Sequence, residues 1–144
     1  MSAVGVGVGW TNAPRRTVSG SRKRRGSAAH ARGLRAETVA SDALVRDGWQ
    51  VHARRLRTEA GEIDIVAERA GLIAFVEVKA RPTLTEAAYA VTDRQRDRLF
   101  AAAEIVLAAH PEWGSAGARF DVLVVDAQSR VRRIADAFRL EHAA

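Results

Sequence analysis

The 144 residues suffice for one domain around a single core and are too few for two ordinary domains. The absence of cysteine excludes disulfides, thiol nucleophiles and thiolate zinc sites. The four histidines are scattered, so any metal would be held by carboxylates and carbonyls. The net charge of +6 is unevenly placed: residues 1–35 carry eight basic side chains and no acid, leaving fifteen basic against seventeen acidic residues in the remainder.

Residues 1–33, rich in Gly, Ser, Ala and Arg, lack the apolar positions that offset the entropy of ordering, which predicts a disordered basic tail ahead of a domain spanning 34–144. Arg22, Lys23, Arg24 and Arg25 are its densest charge. Two readings stand side by side: an electrostatic arm for the phosphates of a nucleic acid, or a solvated extension such as translation from an upstream start codon would add. No charged start followed by an apolar core marks a secretory signal, and no uninterrupted apolar run is longer than Leu72 to Val76, too short to span a bilayer. A cytoplasmic protein with no membrane partner is expected.

Within the domain, Ala36, Val39, Ala40, Ala43 and Leu44 recur at helical spacing, predicting a first helix over Leu34–Asp47 that Gly48 stops. Trp49–Arg57 alternates loosely as a strand. Gly61–Glu68 and Leu72–Lys79 flank Ala70-Gly71 and predict a hairpin. Thr92–Ala109 reads as a second helix ending near Pro111, and Phe120–Val125 with Val131–Ile134 as a second hairpin. This order predicts an α/β fold with a central mixed sheet flanked by helices.

The chemistry concentrates in Gly61-Glu62-Ile63-Asp64-Ile65 and Phe75-Val76-Glu77-Val78-Lys79. With a two-residue turn at Ala70-Gly71, Asp64 falls opposite Glu77 and Glu62 opposite Lys79. Two facing carboxylates repel unless a cation relieves them. A solvated charged edge is the alternative, and two features weigh against it. Val76 and Val78 with Ile63 and Ile65 give the hairpin one apolar face, while Ile73, Phe75 and Val66 make the other partly apolar, as in a buried sheet. Of 23 basic residues only Lys23 and Lys79 are lysines, so a compact ammonium stands in the triplet of a chain that otherwise uses arginine.

This D…E-x-K hairpin behind an acid-bearing helix resembles the restriction-endonuclease-like PD-(D/E)xK nucleases. More narrowly, Gly61–Ile65 with Phe75–Arg81, together with Arg119-Phe120-Asp121 and Ala135–Phe138, resembles the YraN family, which is close in pattern to archaeal Holliday junction resolvases. The resemblance implies a restriction-endonuclease-like core and Mg²⁺- or Mn²⁺-dependent cleavage of DNA, structured or branched DNA included. It makes Asp64, Glu77 and the Val78 carbonyl metal ligands, Lys79 the group that positions or deprotonates water, and Glu37 the helix acid. Three departures accompany it: Ile63 stands where the wider superfamily often has proline, Gln95 stands where many relatives carry a phosphate-contacting lysine, and the arginine-rich tail lies outside the likeness. The rival reading is a nucleic-acid-binding or assembly adaptor that keeps the fold without turnover, and a third is a protein-interaction domain whose tail binds RNA. A homodimer would suit cutting of two strands.

Other residues carry weaker readings. Arg81 is a phosphate contact or an exposed loop arginine. Glu62 joins the site or pairs with a neighbouring arginine, and Arg94, Arg96 and Arg98 line a backbone groove or a solvated helix face. Asp121 packs or caps locally, and Trp49 and Trp113 read as core residues rather than base-stacking platforms.

Overall fold

A computed structural model of the chain describes residues 20–84 and 91–138, with side chains described over 27–84 and 91–135. The elements are α1 (Gly20–Arg46), β1 (Gln50–Thr58), β2 (Gly61–Arg69), β3 (Leu72–Ala80), α2 (Asp93–Ala109), β4 (Gly117–Val125) and β5 (Val131–Phe138). The strands form one mixed sheet in the order β1-β2-β3-β4-β5, antiparallel throughout except for the parallel pair β3 and β4, which α2 connects. The α/β fold expected from the element order is the fold observed.

Each helix covers one face. Ala36, Ala40 and Leu44 of α1 pack on Ile65, Ala67, Ala74, Val76, Leu123 and Val125. The alanines at this four-residue spacing let the helix axis approach the sheet closely. Leu99, Ala102, Ala103 and Val106 of α2 cover Val66, Ile73, Phe75 and Phe120 on the other face. Gly48, at φ +90°, reverses the chain after α1, and the Trp49 N–H then donates to the Leu44 carbonyl at 2.9 Å.

The hairpin register follows from its turn. Ala70 and Gly71 adopt φ of 53° and 80°, the left-handed pair that suits a two-residue connection. Pairing then runs from Arg69↔Leu72 to Ile65↔Val76 in the expected register.

Two expectations are corrected. Gly20–Gly33 is helical instead of disordered, because α1 starts fourteen residues ahead of Leu34. Once the packed stretch from Ala36 to Leu44 has met the nucleation cost, extension through good helix formers such as Ala and Arg adds a hydrogen bond per residue, even though Ser27–Arg32 is exposed. Residues 1–19 of the expected tail lie outside the described residues. Second, Ile63 and Ile65 do not share a face: Ile63 packs with Leu56 on the α2 side and Ile65 on the α1 side. Between the pairs Arg54↔Ile65 and Leu56↔Ile63, Arg55 takes a left-handed φ of 51°, which breaks the two-residue alternation where Asp64 projects.

Candidate active site

The β2–β3 ladder ends at Ile65↔Val76, one pair short of Asp64 and Glu77. There the two strands part, and the side chain of Asp64 takes over from the ladder: its Oδ2 accepts the Val78 N–H at 2.8 Å. The parting thus converts a strand-pairing position into a carboxylate site. On β3, Glu77 and Lys79 point to one face, with Val122 and Val124 of β4 as their register partners.

Four acids share the region. Burial raises Asp64 most, Glu77 adds to it, the Val78 N–H opposes it, and Glu37 and Glu62 raise it further, leaving Asp64 at about 8. Glu77, whose side chain is 13% exposed, is raised mainly by burial, against the pull of Lys79 and Arg98. Glu37, reaching in from α1 with its side chain 12% exposed, is raised by burial against Arg55 and Arg54. Its Oε1 is buried and accepts no hydrogen bond.

Arginines compensate these acids at long range: Arg55 lies 3.7 Å from Glu37, Arg57 3.8 Å from Glu62 and Arg98 3.9 Å from Glu77. All three exceed hydrogen-bond length, so the carboxylates are electrostatically balanced without being locked. Lys79 is 7% exposed, and Glu77 feels its charge. Among the described residues, no three acids or histidines converge as a ready-made metal cage.

The structure therefore brings Glu37, Glu62, Asp64, Glu77 and Lys79 into one electrostatic neighbourhood. Glu62 does not meet Lys79 across the hairpin, because the strands have already parted, and it pairs with Arg57 of β1 instead. Val78 contributes its N–H to Asp64. Arg81 sits exposed just beyond β3, its N–H held by the Val125 carbonyl at 2.9 Å. Gln95 is engaged in a capping box: its Oε1 accepts the Thr92 N–H at 3.0 Å while its own N–H donates to Thr92 Oγ1 at 3.1 Å. Arg22, Lys23, Arg24 and Arg25 fall on the first turns of α1, and their side chains lie outside the described residues.

Asp121 proves to be a packing residue, fully buried between Arg119 and Arg133. Trp49 and Trp113 are buried, the latter stacked between His52 and His110, so neither offers a face to a base.

Gly61 and Arg98 carry a role that spacing did not reveal. Gly61 holds φ +139°, and a Cβ there would lie 2.7 Å from Arg98 Cδ and 2.8 Å from Cγ. The bare glycine lets the Arg98 stem cross the start of β2 on its way to Glu77.

Residues 36–125 match the family described as Uncharacterised protein family UPF0102. A UPF0102 protein of Granulibacter bethesdensis is 63% identical over 117 residues, 81% of this chain and 74% of the relative. One from Rhodopseudomonas palustris is 49% identical over 111 residues, covering 77% and 85% of the two chains, and one from Azorhizobium caulinodans is 47% identical over 119 residues, covering 83% and 91%.

Proposed function

We propose that this chain, which belongs to the UPF0102 (YraN) family, is a divalent-cation-dependent nuclease with a restriction-endonuclease-like core, cleaving phosphodiester bonds of DNA and favouring structured or branched forms. The observation that carries the reading is the juxtaposition at the strand parting: two half-buried, mutually repelling carboxylates, Asp64 and Glu77, beside a buried lysine. Folding drives such groups together only at a cost, and a structural role would use apolar residues at lower cost.

The donor set fits a hard cation. Asp64 and Glu77 offer oxygen ligands, the Val78 carbonyl adds a third, and no sulfur or imidazole competes, which favours Mg²⁺ or Mn²⁺. The burial and repulsion that raise both carboxylates are the penalties a cation between them would remove. When bound, such a cation supplies charge neutralisation for the phosphodiester and acidifies the attacking water. Lys79, next to Glu77 on the same face, orients that water or takes its proton. Glu37, whose buried Oε1 accepts no hydrogen bond, would be the group that accepts one from it. The Asp64 to Val78 hydrogen bond fixes the carboxylate's direction in advance. Among the described residues no element is shaped as a major-groove reading head, which supports selectivity for nucleic-acid shape over base sequence.

Calorimetric titration of Mn²⁺ into the wild type and Asp64→Asn, paired with cleavage of a four-way junction, a flap, a linear duplex and a single strand of one sequence, tests this. Wild-type binding that the variant loses, with cleavage graded by structure, is expected. Equal Mn²⁺ affinity removes the site, and Mn²⁺ binding without cleavage of any substrate turns the reading to a nucleic-acid-binding adaptor.

A further inference from the structure

We propose that Arg98 is the phosphate-contacting residue of this site, held on Glu77 while the carboxylates lack a cation and released to the phosphodiester when they bind one. The inference rests on the nuclease reading and names the residue of α2 through which the site meets its substrate. Three observations converge on it.

The first is the path of the side chain: Arg98 leaves the exposed side of α2 and crosses β2 at Gly61, the position whose missing Cβ makes room for its stem. A guanidinium steered into an acidic site in this way is placed there by the backbone, not by chance solvation. The second is the geometry at its end. At 3.9 Å from Glu77 Oε1 the guanidinium balances charge without a hydrogen bond, and with 42% of its side chain exposed it can reorient at little cost. Glu77 cannot serve a cation and the guanidinium equally, so a divalent ion on Glu77 weakens the hold on Arg98. The planar fork then matches two phosphate oxygens.

The third observation sets aside two neighbours on the same helix. Gln95 is committed to the capping box with Thr92, and Arg96 is held by Asp93 at 2.6 Å on the helix's first turn. Arg98 is the arginine of α2 shown in an ion pair with a site carboxylate.

The test uses the full chain and a labelled four-way junction, with binding measured against salt in Ca²⁺ and in EDTA. In Ca²⁺, Arg98→Ala should bind about tenfold more weakly and lower the slope of log affinity against log salt by about 0.9, the signature of one lost phosphate contact. Arg98→Lys should keep the slope. In EDTA the difference between wild type and Arg98→Ala should shrink, because Glu77 then holds the arginine. Without nucleic acid, Arg98→Ala should bind Mn²⁺ about twofold to fivefold tighter, since a competing charge has left Glu77. Arg96→Ala, with its charge already paired, should match wild type in each measurement.

An unchanged salt slope in Arg98→Ala, an equal slope change in Arg96→Ala, or a difference as large in EDTA as in Ca²⁺ overturns the proposal while leaving the nuclease reading intact. Failure of the wild type to bind Mn²⁺ overturns both.

Discussion

Asp121 and Glu77 lie one step apart in the register of β3 and β4, yet on opposite faces of the sheet, and their surroundings are built on different rules. Asp121 is fully buried and accepts from Arg133 Nη2 at 2.7 Å and Arg119 Nη2 at 3.1 Å, while Arg133 also lies over the Trp49 ring. Every charge there is met at hydrogen-bond length. Around Glu77, by contrast, the acids meet their arginines only at 3.7–3.9 Å, and the buried Oε1 of Glu37 accepts no hydrogen bond. The same residue types are saturated where they hold the fold and left unsaturated where a ligand is to enter. Incomplete satisfaction, more than the presence of acids, separates the candidate site from the packing cluster.

The largest effect is expected at Asp64. Asp64→Asn and Glu77→Gln should each lower cleavage by more than the roughly 10- to 100-fold that loss of an outer partner of a metal ligand costs, while the variants stay folded. Steady-state cleavage alongside circular dichroism checks this. Wild-type rates in either variant would place the chemistry elsewhere. Asp121→Ala should show the inverse pattern. Stripping the carboxylate from two arginines should destabilise the fold by about 3–5 kcal/mol, measured by urea denaturation, while the folded fraction retains its rate per molecule.

Lys79 sharpens the contrast within the site. Lys79→Ala should lower turnover by about a hundredfold and leave Mn²⁺ binding intact or tighter, because the ammonium is not a ligand. Lys79→Arg keeps the charge but cannot realistically deprotonate and spreads its donors over a fork. Little rescue by arginine means that lysine handles water. Near-normal cleavage would reduce it to charge balance for Asp64 and Glu77 and would return its presence in an arginine-rich chain to chance.

The sequence made legible whatever depended on period and turn chemistry. The four-residue spacing of Ala36, Ala40 and Leu44 located the packed part of α1, and Ala70-Gly71 dictated the hairpin register. What stayed hidden depended on breaks in period. Nothing local signals that β2 and β3 part after Ile65↔Val76, or that Arg55 turns left-handed and sends Ile63 and Ile65 to opposite faces. The crossing of Gly61 by Arg98 joins residues thirty-seven positions apart in the chain, beyond any spacing argument. The role of Gln95 was readable, since Thr92-Asp93-Arg94-Gln95 has the spacing of a capping box at a helix start.

The smallest expected effect concerns stability against pH, and it tests whether Asp64 is strained in the absence of a cation. Burial and Glu77 raise its folded-state pKa to about 8, well above the value near 4 of an unfolded chain. The protonated form is therefore favoured by folding. Its contribution is fully present below about pH 4 and is lost as pH rises through about 8, so the metal-free wild type should lose stability progressively across that window. Asn cannot ionise, but its side-chain oxygen can still accept the Val78 N–H, so Asp64→Asn removes the titration without removing the hydrogen bond. In EDTA, the two proteins should melt together near pH 5, and by pH 9 the variant should melt higher by several degrees, the shift that about 1–2 kcal/mol gives in a domain of this size. The same comparison at the packing cluster, Asp121→Asn against wild type, should show the variant less stable at both pH values, because there a saturated carboxylate is lost. Parallel melting curves for wild type and Asp64→Asn from pH 5 to 9 would mean that the Asp64 carboxylate is already satisfied, and the distinction between the two faces would fail at its central residue.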